Sequence, residues 1–337
     1  MILAGDIGGT KTVLGLFRPT PEGLVLEKQA SFASRRYDAL EAVIDEFRQR
    51  LSLPPLTAAG FGVAGPVVDG VCRTTNLPWA VSAARLADYL GGVPVYLLND
   101  LEAAAVGMLH LPDDQFADLN PEGRARPGNR AVIAAGTGLG EALLYWDGRR
   151  FHPMATEGGH CDFAPTTPRQ DRLLRWLRER HPAHVSVERV LSGDGIGTLY
   201  DFLREVEGMA PAPAVTAAQG DRNAAISGCA LRGEAPICRE ALALFVAIYG
   251  AEAGNLALKG LATGGVYVGG GIAPRILPLL RDGRFLGHFV AKGRFEPLLR
   301  GMPLRVALEP RAPLLGAAHY AADPPLSSRS SGNRDQL

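Results

Sequence analysis

The chain carries no surplus charge of either sign. Its 35 Lys and Arg balance 35 Asp and Glu over 337 residues, so no global field draws it onto nucleic acid or an anionic lipid surface. Cysteine is scarce. Cys72, Cys161, Cys229 and Cys238 stand apart with no C-x-x-C pair, which argues against a zinc site and a disulfide framework and fits free thiols in a reducing compartment. The opening MILAGDIGGTKT lacks a basic leader and a small-residue cleavage site, and no apolar stretch of about 18 residues is read anywhere. A cytoplasmic protein with no membrane and no nucleic-acid partner is expected. Two nucleotide signatures are also missing: Thr10 stands where the P-loop needs its second glycine, and Glu141 stands at the third glycine of the dinucleotide fingerprint. A P-loop NTPase and a Rossmann dehydrogenase are both demoted.

Glycine, by contrast, is abundant. The 41 glycines lie well above the usual ~7 %, so many backbone positions need positive φ or close approach. The length suits two domains with sizeable cores. Residues 2–6, 12–17 and 24–28 read as strands, and Leu40, Val43, Ile44, Phe47 and Leu51 repeat at helical spacing. Small-residue strands follow at 58–63 and 94–98, then a helix over 101–111. The breaker-rich stretch 112–129 is the candidate domain crossing. Beyond it, 131–135 runs into Gly136-Thr137-Gly138, with a hairpin turn at Asp147-Gly148. The region 169–261 reads as mostly helical, its longest apolar helix over 237–258. A strand at 265–268 enters Gly269-Gly270-Gly271, a proline-opened helix covers 274–280, and a strand at 304–308 precedes a helix at 314–321. The final PPLSSRSSGNRDQL reads as a disordered tail.

An apolar strand followed by a glycine turn thus recurs at Asp6, Gly136 and Gly269. Such turns expose successive N–H groups that bind phosphate, or they are simply tight hairpins. Asp6 ahead of Gly8-Gly9-Thr10 would repel phosphate unless a divalent cation intervened, and otherwise serves as a turn residue. Asp100 follows a strand. It either caps the next helix or accepts a proton from a substrate hydroxyl, and both roles are compatible. Glu157, His160 and Glu188 are each more often solvated than functional, but together they supply the donors and acceptors that a polyol requires.

In order from residue 3 to about 320, these segments resemble the bacterial glucokinase family of the actin-like ATPase and hexokinase superfamily. LAGDIGGT at 3–10 is similar to its first phosphate loop, Thr75-Asn76 with Trp79 to its sugar-side segment, and LNDLEA at 98–103 to the segment bearing its catalytic Asp. AGTGLG at 135–140 is similar to the second phosphate loop, EGGHCDFAP at 157–165 and VERVLSG at 187–193 to the glucose-binding segments, and GGVYVGGGIAPR at 264–275 to the adenosine loop. The resemblance implies an α/β, two-lobed actin/hexokinase-like (ribonuclease H-like) fold with a nucleotide cleft between lobes. Residues 1–110 plus 301–321 would form a small α/β domain, 111–300 a large α+β domain, and 322–337 a tail. It implies Asp100 as general base and Asn99, Asp100, Glu157, His160, Glu188, Thr75 and Asn76 as glucose ligands. It implies Asp6 as the Mg²⁺ residue, and Gly8, Gly9, Thr10, Lys11, Gly136, Thr137, Gly138, Gly269, Gly270 and Gly271 around ATP. A homodimer and closure on glucose are implied in the same way.

Lys11 departs from one branch of that family and gives the GGTKT reading of the related ROK group. That group has a cysteine-rich zinc motif after its E-x-G-H, whereas only Cys161 follows His160 here. The glucokinase branch, and no zinc, is the expectation. The expected reaction is transfer of the ATP γ-phosphoryl group to glucose O6. The alternatives are a kinase for another hexose, a polyphosphate-using glucokinase, a non-catalytic sugar-sensing regulator, or an actin-like filament protein.

Overall fold

The computed structural model describes residues 1–51, 54–74 and 77–324. Thr75 and Asn76 lie outside the described residues, as does the polar tail from residue 325 on. The chain divides into one unit of Met1–Asp113, His152–Ala155 and the segment from Glu309, and a second of Asp114–Phe151 and Thr156–Leu308.

The first unit opens with β1 (Ile2–Ile7), β2 (Lys11–Thr20), β3 (Gly23–Ala33), α1 (Leu40–Leu51) and β4 (Ala58–Val63). A small antiparallel sheet of β5 (Val67–Val68), β6 (Val71–Arg73) and β7 (Ala80–Ser82) follows, then α2 (Ala83–Tyr89), β8 (Val95–Asn99) and α3 (Asp100–Met108). The main sheet runs β3-β2-β1-β4-β8, parallel from β1 to β8 and antiparallel across β1-β2-β3. Parallel strands buried on both faces need continuous apolar sequence, and β4 is buried at every position. The amphipathic α1 packs Leu40, Val43, Ile44 and Phe47 into a cluster with Leu3, Phe61 and Trp79.

The second unit repeats that plan: a hairpin followed by parallel strands. Its strands are β9 (Phe116–Asp118), β10 (Arg130–Ala135) and β11 (Leu139–Trp146), then, after β12 (Phe151–Ala155), of which only Phe151 belongs to this unit, β13 (Gly265–Gly269) and β14 (Leu304–Ala307). Within the unit the sheet order is β11-β10-β13-β14-β9. Helices α4 (Pro168–Arg180), α5 (Gly193–Glu205), α6 (Pro213–Thr216), α7 (Arg222–Leu231) and α8 (Pro236–Gly260) fill the interval between β12 and β13. Three short helices, α9 (Leu277–Leu280), α10 (Arg284–Val290) and α11 (Glu296–Arg300), precede β14. The chain then gives α12 (Ala312–Ala322) to the first unit, where Leu314, Ala317 and Ala318 pack on Ile2, Ala4 and Phe17.

Several sequence expectations shift. Residues 301–308 do not return to the first unit, because β14 pairs with β13 on one side and β9 on the other. The change of unit falls at Asp113, and the rest of the breaker-rich stretch carries β9. The helix expected over 274–280 is only α9, opened by Pro278 rather than Pro274, since residues 272–276 are spent leaving the glycine turn. Nor was the chain free of long apolar segments. Among the described residues, α8 is long and apolar enough to cross a membrane, with mean hydropathy 1.6, but 83 % of that window is buried inside the fold. It is a core helix: Tyr249 stacks edge-on with Phe245 and Phe285, with centroids 5.8 and 5.4 Å away.

Candidate active site

Strands β1, β4 and β8 are parallel neighbours, so their C-terminal ends lie on one edge of the first unit's sheet. That edge brings Asp6 and Asp100 within electrostatic reach of each other. Gly62 stands between them: a Cβ there would sit 2.8 Å from that of Ala103 and 3.8 Å from Asp100 Cα, so only glycine lets α3 start this close to the strand. Burial and the Asp100 charge push the Asp6 carboxyl up to about 6, with Lys11 offsetting part of the rise.

The cap of α3 is Asn99, not Asp100. The Leu101 N–H donates to Asn99 Oδ1 (2.8 Å), Asn99 N–H donates to Glu102 Oε2 (3.0 Å), and Asn99 Nδ2 donates to the Gly65 carbonyl (3.2 Å). This capping box outcompetes Asp100, which occupies the first helical position and still accepts from Leu101 N–H at 2.9 Å. Asn99 spends most of its amide on the backbone. It therefore fixes where Asp100 stands, and one N–H of its amide remains for a ligand.

The Gly8–Thr10 turn is braced from behind by a residue the sequence reading passed over. Ser34 Oγ donates to the Gly8 carbonyl (2.7 Å), Ser34 N–H donates to the Thr10 carbonyl (3.1 Å), and its hydroxyl meets Thr12 Oγ1 at 3.0 Å. Lys11 begins β2 and is exposed. Trp79 is buried, with its indole N–H on the Tyr37 carbonyl at 2.9 Å.

In the second unit the β10–β11 hairpin presents Gly136–Gly138. Tyr249 pins the strand leading into it by accepting from the Ala135 N–H (3.1 Å), and burial raises the Tyr249 phenol well above its ordinary range. Glu188 clasps the far side, its Oε2 accepting from the Leu139 N–H at 2.8 Å. Glu188 and His160 line one cavity of about 440 Å³. His160 ends a short turn, Gly158–His160, that begins beside Glu157 and is closed by His160 N–H on the Glu157 carbonyl at 2.9 Å. The structure therefore brings Glu157, His160 and Glu188 together in this unit.

A larger cavity of about 740 Å³ starts at Gly136 and Thr137. Of the third glycine cluster only Gly271 lines it. Gly269 is buried in β13, and Gly270, at φ +79°, presses on the Ala135 backbone. Gly138 faces Glu188 instead. The opposite wall is Asp194, Asp221, Asn223 and Ser227, residues the sequence reading left inside a helical region. Asp221 caps α7 by accepting from Asn223 and Ala224 N–H, and Asn223 Nδ2 reaches Asp194 Oδ1 at 3.2 Å. The signal available was the Asp-x-Asn helix start, which marks a cap but not a ligand wall.

Comparison with known proteins identifies the family and the fold. The Glucokinase family model matches residues 3–324. The glucokinase of Nostoc punctiforme is 40 % identical over 340 residues, covering 96 % of this chain and 99 % of its own length. A crystal structure of glucokinase from an Antarctic psychrotroph superposes with a TM-score of 0.84 at 32 % identity, covering 95 % and 98 % of the two chains. A ROK family glucokinase from Streptomyces griseus, in complex with glucose and AMPPNP, shares the fold at TM-score 0.63 and 20 % identity, covering 95 % and 99 %. The fold is the actin-like ATPase fold of these kinases. By the family match over nearly its whole length, the chain belongs to the glucokinase family.

Proposed function

We propose that the chain transfers the γ-phosphoryl group of ATP to the 6-hydroxyl of glucose, giving glucose 6-phosphate and ADP. The observation that carries the reading is Asp100, set at the end of β8 by the Asn99 capping box beside Asp6. Phosphoryl transfer through a loose transition state leaves the protein mainly positioning and electrostatics. Asp100 orients O6 and takes its proton late, because a hydroxyl is too weak an acid to ionise first. Asn99 positions Asp100, while Glu157, His160 and Glu188 take the other sugar hydroxyls. Gly8, Gly9, Thr10, Lys11, Gly136, Thr137 and Gly138 serve the phosphates, and the 740 Å³ cavity takes the adenosine, with Gly271 on its wall and Gly269 and Gly270 shaping the turn. Thr75 and Asn76 belong to the same reading as sugar-side residues.

The donor set at Asp6 fits Mg²⁺, which commonly takes one or two carboxylates with water and phosphate oxygens. Two neighbouring carboxylates, with Lys11 as the counter-charge acting on Asp6, are the supporting observation. The ion would be held by Asp6 and would neutralise phosphate charge. Family membership also supports a homodimer working in the cytoplasm, in glycolysis.

A coupled assay with Mg-ATP across a hexose panel, repeated with polyphosphate, tests the reading. Glucose with ATP should give the highest kcat/KM, and Asp100→Ala should lower kcat by roughly 10²–10⁴-fold while glucose still binds. Activity confined to another sugar or to polyphosphate would overturn the substrate assignment. Sugar binding without turnover would favour a regulator.

A further inference from the structure

We propose that Glu141 on β11 is a positioning residue for the sugar-binding turn, and that its protonated form holds the turn carrying Glu157 and His160 in the shape that takes the hexose. The inference rests on the reading of those two residues as sugar ligands. Glu141 is 2 % exposed, and its Oε1 has no hydrogen-bond partner among the described residues. The carboxyl group lies directly under Gly158: a Cβ built there would overlap Glu141 Oε2 and stand 2.8 Å from its Cδ. The same strand residue anchors the turn through its backbone. Thr156 Oγ1 donates to the Glu141 carbonyl (2.9 Å) and accepts from the Gly158 N–H (3.1 Å). The turn thus rests on Glu141 from below and hangs from it through Thr156.

The surroundings favour a neutral acid. Glu252, on α8, is also buried and repels an ionised Glu141. Lys259 stands 3.7 Å from Glu252 Oε1 and is largely exposed, so its charge is shared and screened. Lys292 donates to the Ala251 carbonyl (2.9 Å) and to Asn255 Oδ1 (2.6 Å), and Asn255 donates to Glu252 Oε2 at 2.9 Å. Tyr249, another titratable neighbour, is a neutral phenol committed to backbone groups. Ionising Glu141 would leave a carboxylate with a bare oxygen beside a second buried carboxylate, a costly state relieved only by lifting the turn toward water. Burial, then Glu252, push the Glu141 carboxyl up to about 7, with Lys259 opposing. The protonation change therefore falls within the working range of pH. It also gives a role to the residue that breaks the dinucleotide fingerprint.

Glucose binding without nucleotide, followed by calorimetry from pH 6 to pH 8.5, tests this on the native chain and on Glu141→Gln, which keeps the neutral acid's shape and cannot titrate. If only the protonated form is competent, native affinity should weaken by up to about 30-fold over that range, while the variant's should change far less. A variant profile as steep as the native one would overturn the proposal and leave the kinase reading intact. Absence of glucose binding at every pH would overturn the sugar assignment and this inference with it. Hydrogen exchange on the native chain gives a check that needs no variant. Protection of the His160 and Cys161 amides, after correction for intrinsic rates, should fall through the same pH interval, and constant protection would sink the idea.

Discussion

Asp6 is a carboxylate in a place that resists ionisation. Its folded pKa of about 6 exceeds the ordinary 3.8, so the native state binds its proton more tightly than the unfolded chain does. The stability contribution is complete below pH 3.8 and is lost as the pH rises through about 6. Asp6→Asn should therefore raise the thermal midpoint by several degrees at pH 7.5, with the gain shrinking as the pH falls toward 4, and should abolish kinase turnover. Differential scanning calorimetry at the two pH values decides it; an equal shift at both would remove the linkage argument. The residue itself was legible, because an Asp between an apolar strand and a glycine turn is a strong local pattern. The capping role of Asn99 was not. Adjacent Asn and Asp are equivalent cap candidates on paper, and only Glu102 closing the box on Asn99 N–H separates them.

Element packing explains how α3 holds its aim. It crosses α12 with almost nothing between their backbones: a Cβ at Gly316 would overlap the Ala103 carbonyl oxygen and stand 2.6 Å from Gly107 N, and one at Gly107 would overlap the Ala312 carbonyl. Both contacts lie within the first unit. Gly316→Ala must push the helices apart, at a cost of roughly 1–3 kcal/mol, and should lower the urea midpoint and kcat together because Asp100 opens α3. An unchanged midpoint would show that the contact yields freely. The sequence disclosed both helices by their small apolar residues. It could not disclose their pairing, since some 200 residues intervene and a glycine at a crossing looks like a glycine in a turn. The same blindness hid Ser34, whose work is done on a turn distant in sequence, and β9, three residues long and paired to β14.

Over the whole chain, what was legible is what local pattern determines: the strand and glycine-turn recurrence, the long helical interval and the order of the family's segments. What was not legible is partition, because β14 reads equally well as a strand of either unit until its partners are known. Partition nevertheless has a measurable consequence. The 740 Å³ cavity belongs entirely to the second unit, whereas Asp6 and the Gly8–Thr10 turn belong to the first. Adenosine lacks phosphates, so it should stabilise the second unit alone; Mg-AMPPNP should stabilise both. A ligand at a hundred times its dissociation constant contributes about 2.7 kcal/mol to whichever cooperative unit binds it. Trp79 reports on the first unit, and Trp146 and Trp176 on the second. In thermal melts followed by fluorescence, Trp79→Phe should therefore show a midpoint rise with adenosine. The Trp146→Phe/Trp176→Phe variant should show one only with Mg-AMPPNP. A midpoint rise with adenosine in the Trp146→Phe/Trp176→Phe variant and none in Trp79→Phe would remove the assignment of adenosine to the second unit's cavity.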